Sequence, residues 1–165
     1  MVEPTGRAGA GHLQVVLPFS ILVQLRMHAE GSYPEECWGL LIGVREGASV
    51  HVRQGLRCAG AAPGGELPGA GPLRPRALLN AMRSLRHREE EVVGFYHSDP
   101  DPDAPYSGTD IAFAGLGSDT VWLVVPVDED GAREERAWWL PPHTSGGGAP
   151  FELPLRTSAT DSSWS

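Results

Sequence analysis

A chain of 165 residues with 41% hydrophobic and 21% charged residues is typical of one globular domain. The formal net charge of −8 argues against a nucleic-acid binder, and the absence of lysine excludes any chemistry that needs a lysine side chain. Two cysteines are too few for a disulfide framework, and no apolar run approaches the roughly 20 residues of a membrane span, so we expect a cytoplasmic protein.

The first half of the chain predicts a strand, a helix and then a pair of strands. A strand over 13–18 precedes a helix over 19–30, in which apolar residues recur at helical spacing. The apolar run 40–44 indicates a buried strand, and 48–57 is expected to pair with it across a glycine-containing turn. The Gly- and Pro-rich segment 58–72 is too poor in large apolar residues to pack, which favours an irregular loop.

From residue 75 onward, helical and strand patterns alternate. The predicted elements are a helix over 75–91, a strand over 92–97, a helix over 107–115 that begins at Ser107, strands over 120–127 and 134–140, and an edge strand over 151–153. This order predicts an α/β sandwich with a mixed or antiparallel sheet. We expect a flexible N-terminus over 1–12, one domain over 13–157 and a disordered tail over 158–165.

The densest group of polar residues follows the strand over 92–97 and precedes the helix that begins at Ser107. In an extended strand His97 and Asp99 lie on the same side, about 7 Å apart at roughly 3.3 Å per residue. Asp110 falls on the first turn of the next helix. One imidazole and two carboxylates that converge offer three ligands to a metal ion and leave a position for water, which is typical of a catalytic metal site.

Other interpretations fit the same residues. Ser107 and Asp110 have the spacing of a helix-capping pair, and the Asp-Pro repeat over 99–103 suits a solvated turn. A single histidine at a strand end is commonly a hydrogen-bonded core residue. The acidic residues of this segment also have the spacing of a calcium loop, although Ala104 stands where that loop needs glycine. Spacing alone leaves these alternatives open.

Two separated motifs carry a resemblance to a known family. Residues 34–43 read PEECWGLLIG, and residues 94–110 read GFYHSDPDPDAPYSGTD. Together they resemble the two motifs of the JAMM/MPN metalloprotease family, and the chain is most similar to the short prokaryotic members of that family. The resemblance covers roughly residues 15–140. It implies a cytidine-deaminase-like, MPN-type α/β sandwich in which a mixed, mostly antiparallel sheet is flanked by helices.

The resemblance implies a metal-dependent peptidase. Zinc, or alternatively manganese or iron(II), would be held by His97, Asp99 and Asp110. Glu36 would accept a proton from the metal-bound water, and Ser107 would donate a hydrogen bond to the developing oxyanion. Asp99 stands where the family carries its second metal-binding histidine, and a second anionic ligand weakens the pull of the ion on its water. A catalytically silent interaction module of the same fold is therefore the alternative.

The resemblance also implies a class of substrate. Members of the family cleave the amide or isopeptide bond that follows the C-terminal Gly-Gly of a ubiquitin-like protein, which in short prokaryotic members is usually a sulfur carrier resembling ThiS or MoaD. An extended Gly-Gly tail suits a cleft beside a sheet edge, where strand addition supplies main-chain hydrogen bonds. We therefore expect a ubiquitin-like or sulfur-carrier protein as the partner, and neither nucleic acid nor a membrane.

Overall fold

A computed structural model describes residues 13–58, 80, 82–86, 88–101, 120–140 and 151–159. In this part of the chain, a 14-residue helix packs against a nine-stranded sheet. The elements are β1 (Gln14–Pro18), α1 (Phe19–Ser32), β2 (Trp38–Glu46), β3 (Ser49–Cys58), β4 (Glu91–Asp99), β5 (Thr120–Asp128), β6 (Gly131–Ala132), β7 (Arg136–Leu140), β8 (Phe151–Leu153) and β9 (Leu155–Ser158). None of the helical segments described is both long and apolar enough to cross a lipid bilayer.

The sheet is mixed and mostly antiparallel, which confirms the fold class expected from the sequence. Its strand order is β8-β7-β5-β4-β2-β3-β1-β9, and β6 pairs with β5. β1 runs parallel to β3 and β9, and β4 runs parallel to β5, whereas the other pairs are antiparallel. The central pair of β2 and β4 places Trp38 opposite His97. This pairing brings the two sequence motifs together at one end of the sheet.

The two faces of the sheet carry separate apolar clusters. α1 covers one face with an apolar side that repeats at helical spacing and consists of Ile21, Leu22, Leu25 and Ala29. The other face carries a smaller buried cluster of Trp38, Leu40, Phe95 and Trp122. Since successive side chains of a strand point to opposite faces, β2 and β4 each divide their residues between the two clusters. Full burial of each large apolar side chain stabilises the fold by roughly 1.5–3 kcal/mol.

The helix predicted over 75–91 is wrong at its C-terminal end. Residues 82–84 are helical, but a turn follows in which the Arg86 N–H donates to the Arg83 carbonyl at 3.3 Å. β4 already begins at Glu91. The charged residues near this end have high helix propensity, yet pairing of the segment with β2 overrides that preference.

The strand predicted over 134–140 begins later, at Arg136. Glu135 lies outside the sheet and forms a bidentate ion pair with Arg26 of α1. Glu135 is only 7% exposed, so its carboxylate needs this partner in order to be buried. The ion pair thus fixes the segment before β7 against the helix.

The C-terminal segment joins the two edges of the sheet. The predicted edge strand over 151–153 is β8, which pairs with β7, and after Pro154 the chain continues into β9, which pairs with β1. The Val15 N–H donates to the Pro154 carbonyl at 2.9 Å. β9 was not predicted because four residues of mixed polarity carry no strand signal of their own. Ser158, expected to begin the tail, lies in β9, whereas the segments 1–12 and 160–165 lie outside the described residues.

Candidate active site

Three of the five site residues predicted from the sequence lie in the described part of the chain, namely Glu36, His97 and Asp99. Ser107 and Asp110 lie outside the described residues, as does the helix predicted to begin at Ser107. Glu36 lies two residues before β2, and His97 and Asp99 lie at the end of β4.

His97 and Asp99 lie on one face of the sheet, as the sequence predicts. β4 stays extended through Asp99, so residues two apart along it point the same way. The face is the one opposite α1, because the His97 ring stacks on Trp38 with a centroid distance of 4.8 Å and an interplanar angle of 13°. Trp122 lies 4.9 Å from the same ring at 58°. The imidazole is therefore held on two sides by aromatic rings.

Glu36 approaches the same end of the sheet from the neighbouring strand. The antiparallel ladder continues one residue beyond the start of β2, where the Ser98 N–H donates to the Cys37 carbonyl at 3.0 Å. Glu36 directly precedes Cys37, and Asp99 directly follows Ser98, so both residues adjoin this end of the ladder. Glu36 is half-buried, and its Oε2 atom is shielded from solvent. The two motifs thus meet at this end of the sheet.

The hydrogen bonding of His97 defines its tautomer. His97 is 1% exposed, and its Nδ1 atom lies 3.0 Å from the Ser98 carbonyl oxygen. Because a carbonyl only accepts hydrogen bonds, Nδ1 carries a proton, and Nε2 is the ring atom that could offer a lone pair to a ligand. A ring N–H bonded to a backbone carbonyl is the usual partner arrangement of a metal-binding histidine. His97 therefore has the chemistry of a ligand that binds through Nε2.

Asp99 also takes part in a turn. Its Oδ1 atom accepts the Asp101 N–H at 3.0 Å, which is the contact of a turn closed by an aspartate side chain. This contact supports the turn interpretation of the Asp-Pro repeat. An ionised carboxylate offers about four acceptor positions, so one backbone hydrogen bond leaves capacity for a cation.

The described residues contain part of the expected ligand set. Within this part of the chain, no group of three or more His, Cys, Asp or Glu side chains is arranged to hold a metal ion. His97 and Asp99 share one face, and the third expected ligand, Asp110, lies outside the described residues. A neutral imidazole and a carboxylate fit a divalent ion such as zinc, and manganese or iron(II) equally accept this mixture of nitrogen and oxygen.

Cys37 is a packed thiol, as the sequence suggests, although it neighbours Glu36. Its side chain is 4% exposed and belongs to the core beneath α1. Burial raises the pKa of the Cys37 thiol, which disfavours the nucleophilic thiolate at neutral pH.

Two contributors to the site could not be singled out from the sequence. Trp38 stacks on His97, and the hydroxyl of Ser98 accepts the Cys37 N–H at 2.7 Å. Both contacts cross between strands that are about sixty positions apart in the chain. Only the register of β2 against β4 reveals them, and no local pattern encodes that register.

Comparison with known proteins gives the family and similar folds. The model of a family described as prokaryotic homologs of the JAB domain matches residues 18–141, well over half of the chain. The solution structure of a protein from Desulfitobacterium hafniense is similar with a TM-score of 0.69 and 20% identity, covering 89% of this chain and 94% of that chain. A solution structure from Salinibacter ruber has a TM-score of 0.60 and 23% identity, with coverages of 89% and 92%. A search of curated proteins found no match.

Proposed function

The chain belongs to the family of prokaryotic homologs of the JAB domain, and on that basis we propose that it is a metal-dependent hydrolase. Its substrate is the amide or isopeptide bond after the C-terminal Gly-Gly of a ubiquitin-like or sulfur-carrier protein. An extended Gly-Gly tail is narrow enough to lie against strand backbone and to pair with it, so a site at the end of two central strands suits this substrate.

Each polar residue of the two motifs has one role in this proposal. His97, Asp99 and Asp110 hold a divalent ion, which when bound supplies Lewis acidity and lowers the pKa of water. Glu36 takes the proton of the attacking water and delivers it to the leaving amine. Ser107 donates a hydrogen bond to the oxyanion that develops on the substrate carbonyl.

The observation that carries the proposal is the register of β2 against β4. This register pairs Trp38 with His97, and we expect that its continuation by two residues brings Glu36 next to Asp99 on the face that carries His97. A general base must lie within hydrogen-bond reach of the proton that it abstracts, and it must not be displaced into solvent. Glu35 has the same chemistry but is exposed to solvent, so it does not meet this condition.

A catalytically silent interaction module is the second candidate function. The hydrogen bond from the Asp101 N–H to Asp99 favours it, because this contact gives Asp99 a structural use that does not require a metal ion. In that case the fold would bind its partner without hydrolysing it.

Paired substitutions of the two adjacent glutamates test the proposal. The substrate is a fusion in which a ubiquitin-like protein ending in Gly-Gly is followed by a C-terminal extension, and the protein is first loaded with zinc or manganese. We expect Glu36→Gln to lower kcat/KM by about 10²–10⁴-fold with the metal content unchanged, since general-base catalysis contributes that much. Glu35→Gln is the matched control and keeps wild-type activity because its side chain is exposed.

The metal content separates the possible results. If Glu36→Gln loses the metal as well as the activity, Glu36 is a ligand and the role of base is wrong. Less than about a tenth of an equivalent of bound metal in the wild-type protein after incubation with zinc or manganese would exclude the hydrolase and favour the silent module.

A further inference from the structure

Ser98 lies between the two expected metal ligands of β4, and its side chain points to the opposite face. It is fully buried, at 0% exposure, so it reaches neither solvent nor the face that carries His97. The Ser98 hydroxyl nevertheless joins the two motifs, because it accepts the Cys37 N–H at 2.7 Å.

This contact changes the usual hydrogen-bond pattern of the ladder. Two residues that form a hydrogen-bonded antiparallel pair exchange both of their N–H···O=C bonds. At Cys37 and Ser98, the Ser98 N–H donates to the Cys37 carbonyl at 3.0 Å, but the Cys37 N–H donates to the serine hydroxyl. The Ser98 carbonyl accepts Nδ1–H of His97 instead, at 3.0 Å.

We infer that Ser98 is a positioning residue that couples His97 to the strand that carries Glu36. Its hydroxyl substitutes for its own carbonyl as the acceptor of the Cys37 N–H, so the carbonyl does not have to share its alignment between the ladder and the Nδ1–H of the His97 ring. The same hydroxyl bond anchors the peptide group that directly follows Glu36. The role of this coupling in catalysis rests on the proposed function, whereas the coupling itself is a property of the protein without metal.

Loss of the hydroxyl has a defined consequence. In Ser98→Ala, the Cys37 N–H and the Nδ1–H of His97 must share the Ser98 carbonyl oxygen, whose two lone pairs can accept both only if each bond is re-aimed. A backbone N–H left unpaired in the interior is costly, so we expect the ladder to keep a well-aligned bond and the bond to Nδ1–H of His97 to weaken. The ring is then no longer held as the Nδ1–H tautomer. It can adopt the Nε2–H tautomer, in which Nε2 has no lone pair to offer a metal ion.

The tautomer can be read directly in protein labelled with ¹⁵N-histidine. Long-range ¹H–¹⁵N correlation spectra of the metal-free protein distinguish the two tautomers, and the His97 signals are assigned by their loss in His97→Gln. We expect Nδ1–H in the wild-type protein and a substantial Nε2–H population in Ser98→Ala. Zinc affinity, measured by competition with a chelator, should fall about 10-fold in Ser98→Ala.

Three further variants separate positioning from loss of stability. Ser98→Thr keeps a hydroxyl and should restore both the tautomer and the zinc affinity. Ser98→Cys keeps the packing but offers a weak acceptor, so it should behave like Ser98→Ala even if the latter folds poorly. Val93→Ala removes buried apolar atoms from the same strand and should lower stability without any change in tautomer or affinity.

The outcomes distinguish this inference from the proposed hydrolase. An Nε2–H tautomer in the wild-type protein, or an unchanged tautomer and zinc affinity in both Ser98→Ala and Ser98→Cys, overturns the inference even if the wild-type protein hydrolyses its substrate. A wild-type protein that binds zinc but does not hydrolyse the fusion contradicts the proposed function alone, and a tautomer that changes in Ser98→Ala and returns in Ser98→Thr still supports the coupling.

Discussion

At the scale of single residues, Asp99 combines a turn contact with a position on the face that carries His97. Its carboxylate accepts the Asp101 N–H at 3.0 Å, which closes the turn after β4. In the proposed site the same carboxylate lies near Glu36, which precedes the strand that pairs with β4. Two ionised carboxylates that lie close together repel each other unless a cation lies nearby. The repulsion that acts on Asp99 should therefore decrease when a metal ion binds.

Asp99→His is expected to increase zinc affinity by about 10-fold or more and to raise kcat/KM, because a neutral imidazole leaves more of the ion's charge to act on water. Chelator competition and hydrolysis of the fusion substrate measure the two effects. Asp99→Asn is the control, since its amide oxygen keeps the acceptor for the Asp101 N–H and removes only the charge. It should weaken zinc binding at unchanged thermal stability. Weaker zinc binding by Asp99→His would show that the carboxylate is the better ligand.

His28 makes the stability of the protein depend on pH. It lies in α1, which covers the face of the sheet opposite the candidate site. Its Nδ1 atom lies 2.8 Å from the Tyr96 hydroxyl, and the two rings meet edge to face at 5.8 Å. Burial, and to a smaller extent the charge of Arg57, lowers the pKa of His28. The unfolded chain, with a histidine pKa of about 6.5, therefore takes up the proton first. This contribution to stability is present above about pH 6.5 and is lost as the pH falls toward the folded pKa.

Urea unfolding at several values between about pH 7.5 and pH 5 measures this effect. We expect the free energy of unfolding to fall less steeply on acidification in His28→Gln than in the wild-type protein. Tyr96→Phe removes the hydroxyl but leaves His28 buried, so it should keep the wild-type pH dependence at lower overall stability. Identical slopes in wild type and His28→Gln would mean that other groups control the acid sensitivity.

The site residues that could be predicted from the sequence are those fixed by position along a single strand. His97 and Asp99 are two apart in an extended segment, so their common face followed from the alternation of side chains alone. Trp38 and Ser98 act through contacts between β2 and β4. Those contacts depend on a register that is set by long-range packing. A shift of this register by one residue would turn every side chain of the strand to the other face of the sheet.

At the scale of elements, Gly39 allows β2 and β4 to approach closely around an aromatic ring. Gly39 is the register partner of Tyr96, and a Cβ atom on Gly39 would lie 2.1 Å from Cε1 of that ring. No heavy-atom contact can be so short, and the ring is held by core packing and by His28. The glycine of the first motif is thus explained by packing next to the site.

Gly39→Ala should lower the free energy of unfolding by about 3 kcal/mol, because the ring must shift within a packed core. Gly31→Ala is the control, since nothing lies within 4 Å of a Cβ atom there and alanine is favoured in a helix. It should raise stability by up to about 1 kcal/mol. In the double variant Gly39→Ala/Tyr96→Leu, the two losses should be less than additive. Equal effects of the two glycine substitutions in denaturant unfolding would contradict the close approach.

The elements with a strong internal signal could be predicted, and those formed by tertiary pairing could not. α1, β2 and β5 carry periodic or continuous apolar residues, and all three lie where the sequence places them. The end of the helix predicted over 75–91 was wrong because strand pairing with β2 determines where β4 begins. β9 pairs with a strand at the other end of the chain, and contacts of this kind leave no local pattern.

At the scale of the whole molecule, the segment from β8 to β9 closes the sheet. Its two halves pair with β7 and β1, which are otherwise at opposite ends of the strand order, and only Pro154 separates them. Leu153, before that proline, belongs to the core beneath α1, and Leu155, after it, packs against this core. A few residues near the end of the chain thus hold both edges of the sheet around the helix, while the candidate site lies on the opposite face.

The contribution of β9 can be isolated by comparing a chain that ends at Ala159 with one that ends at Pro154. The shorter chain loses the parallel pairing of four residues with β1 and the packing of Leu155. At about 0.5–1.5 kcal/mol for each hydrogen bond, in addition to the lost apolar burial, we expect a loss of about 3 kcal/mol. The melting temperature should fall by about 10 °C.

The freed edge of β1 should also cause concentration-dependent association in sedimentation experiments, because unpaired strand edges recruit other chains. If both chains melt at the same temperature and remain monodisperse, β9 does not close the sheet in solution.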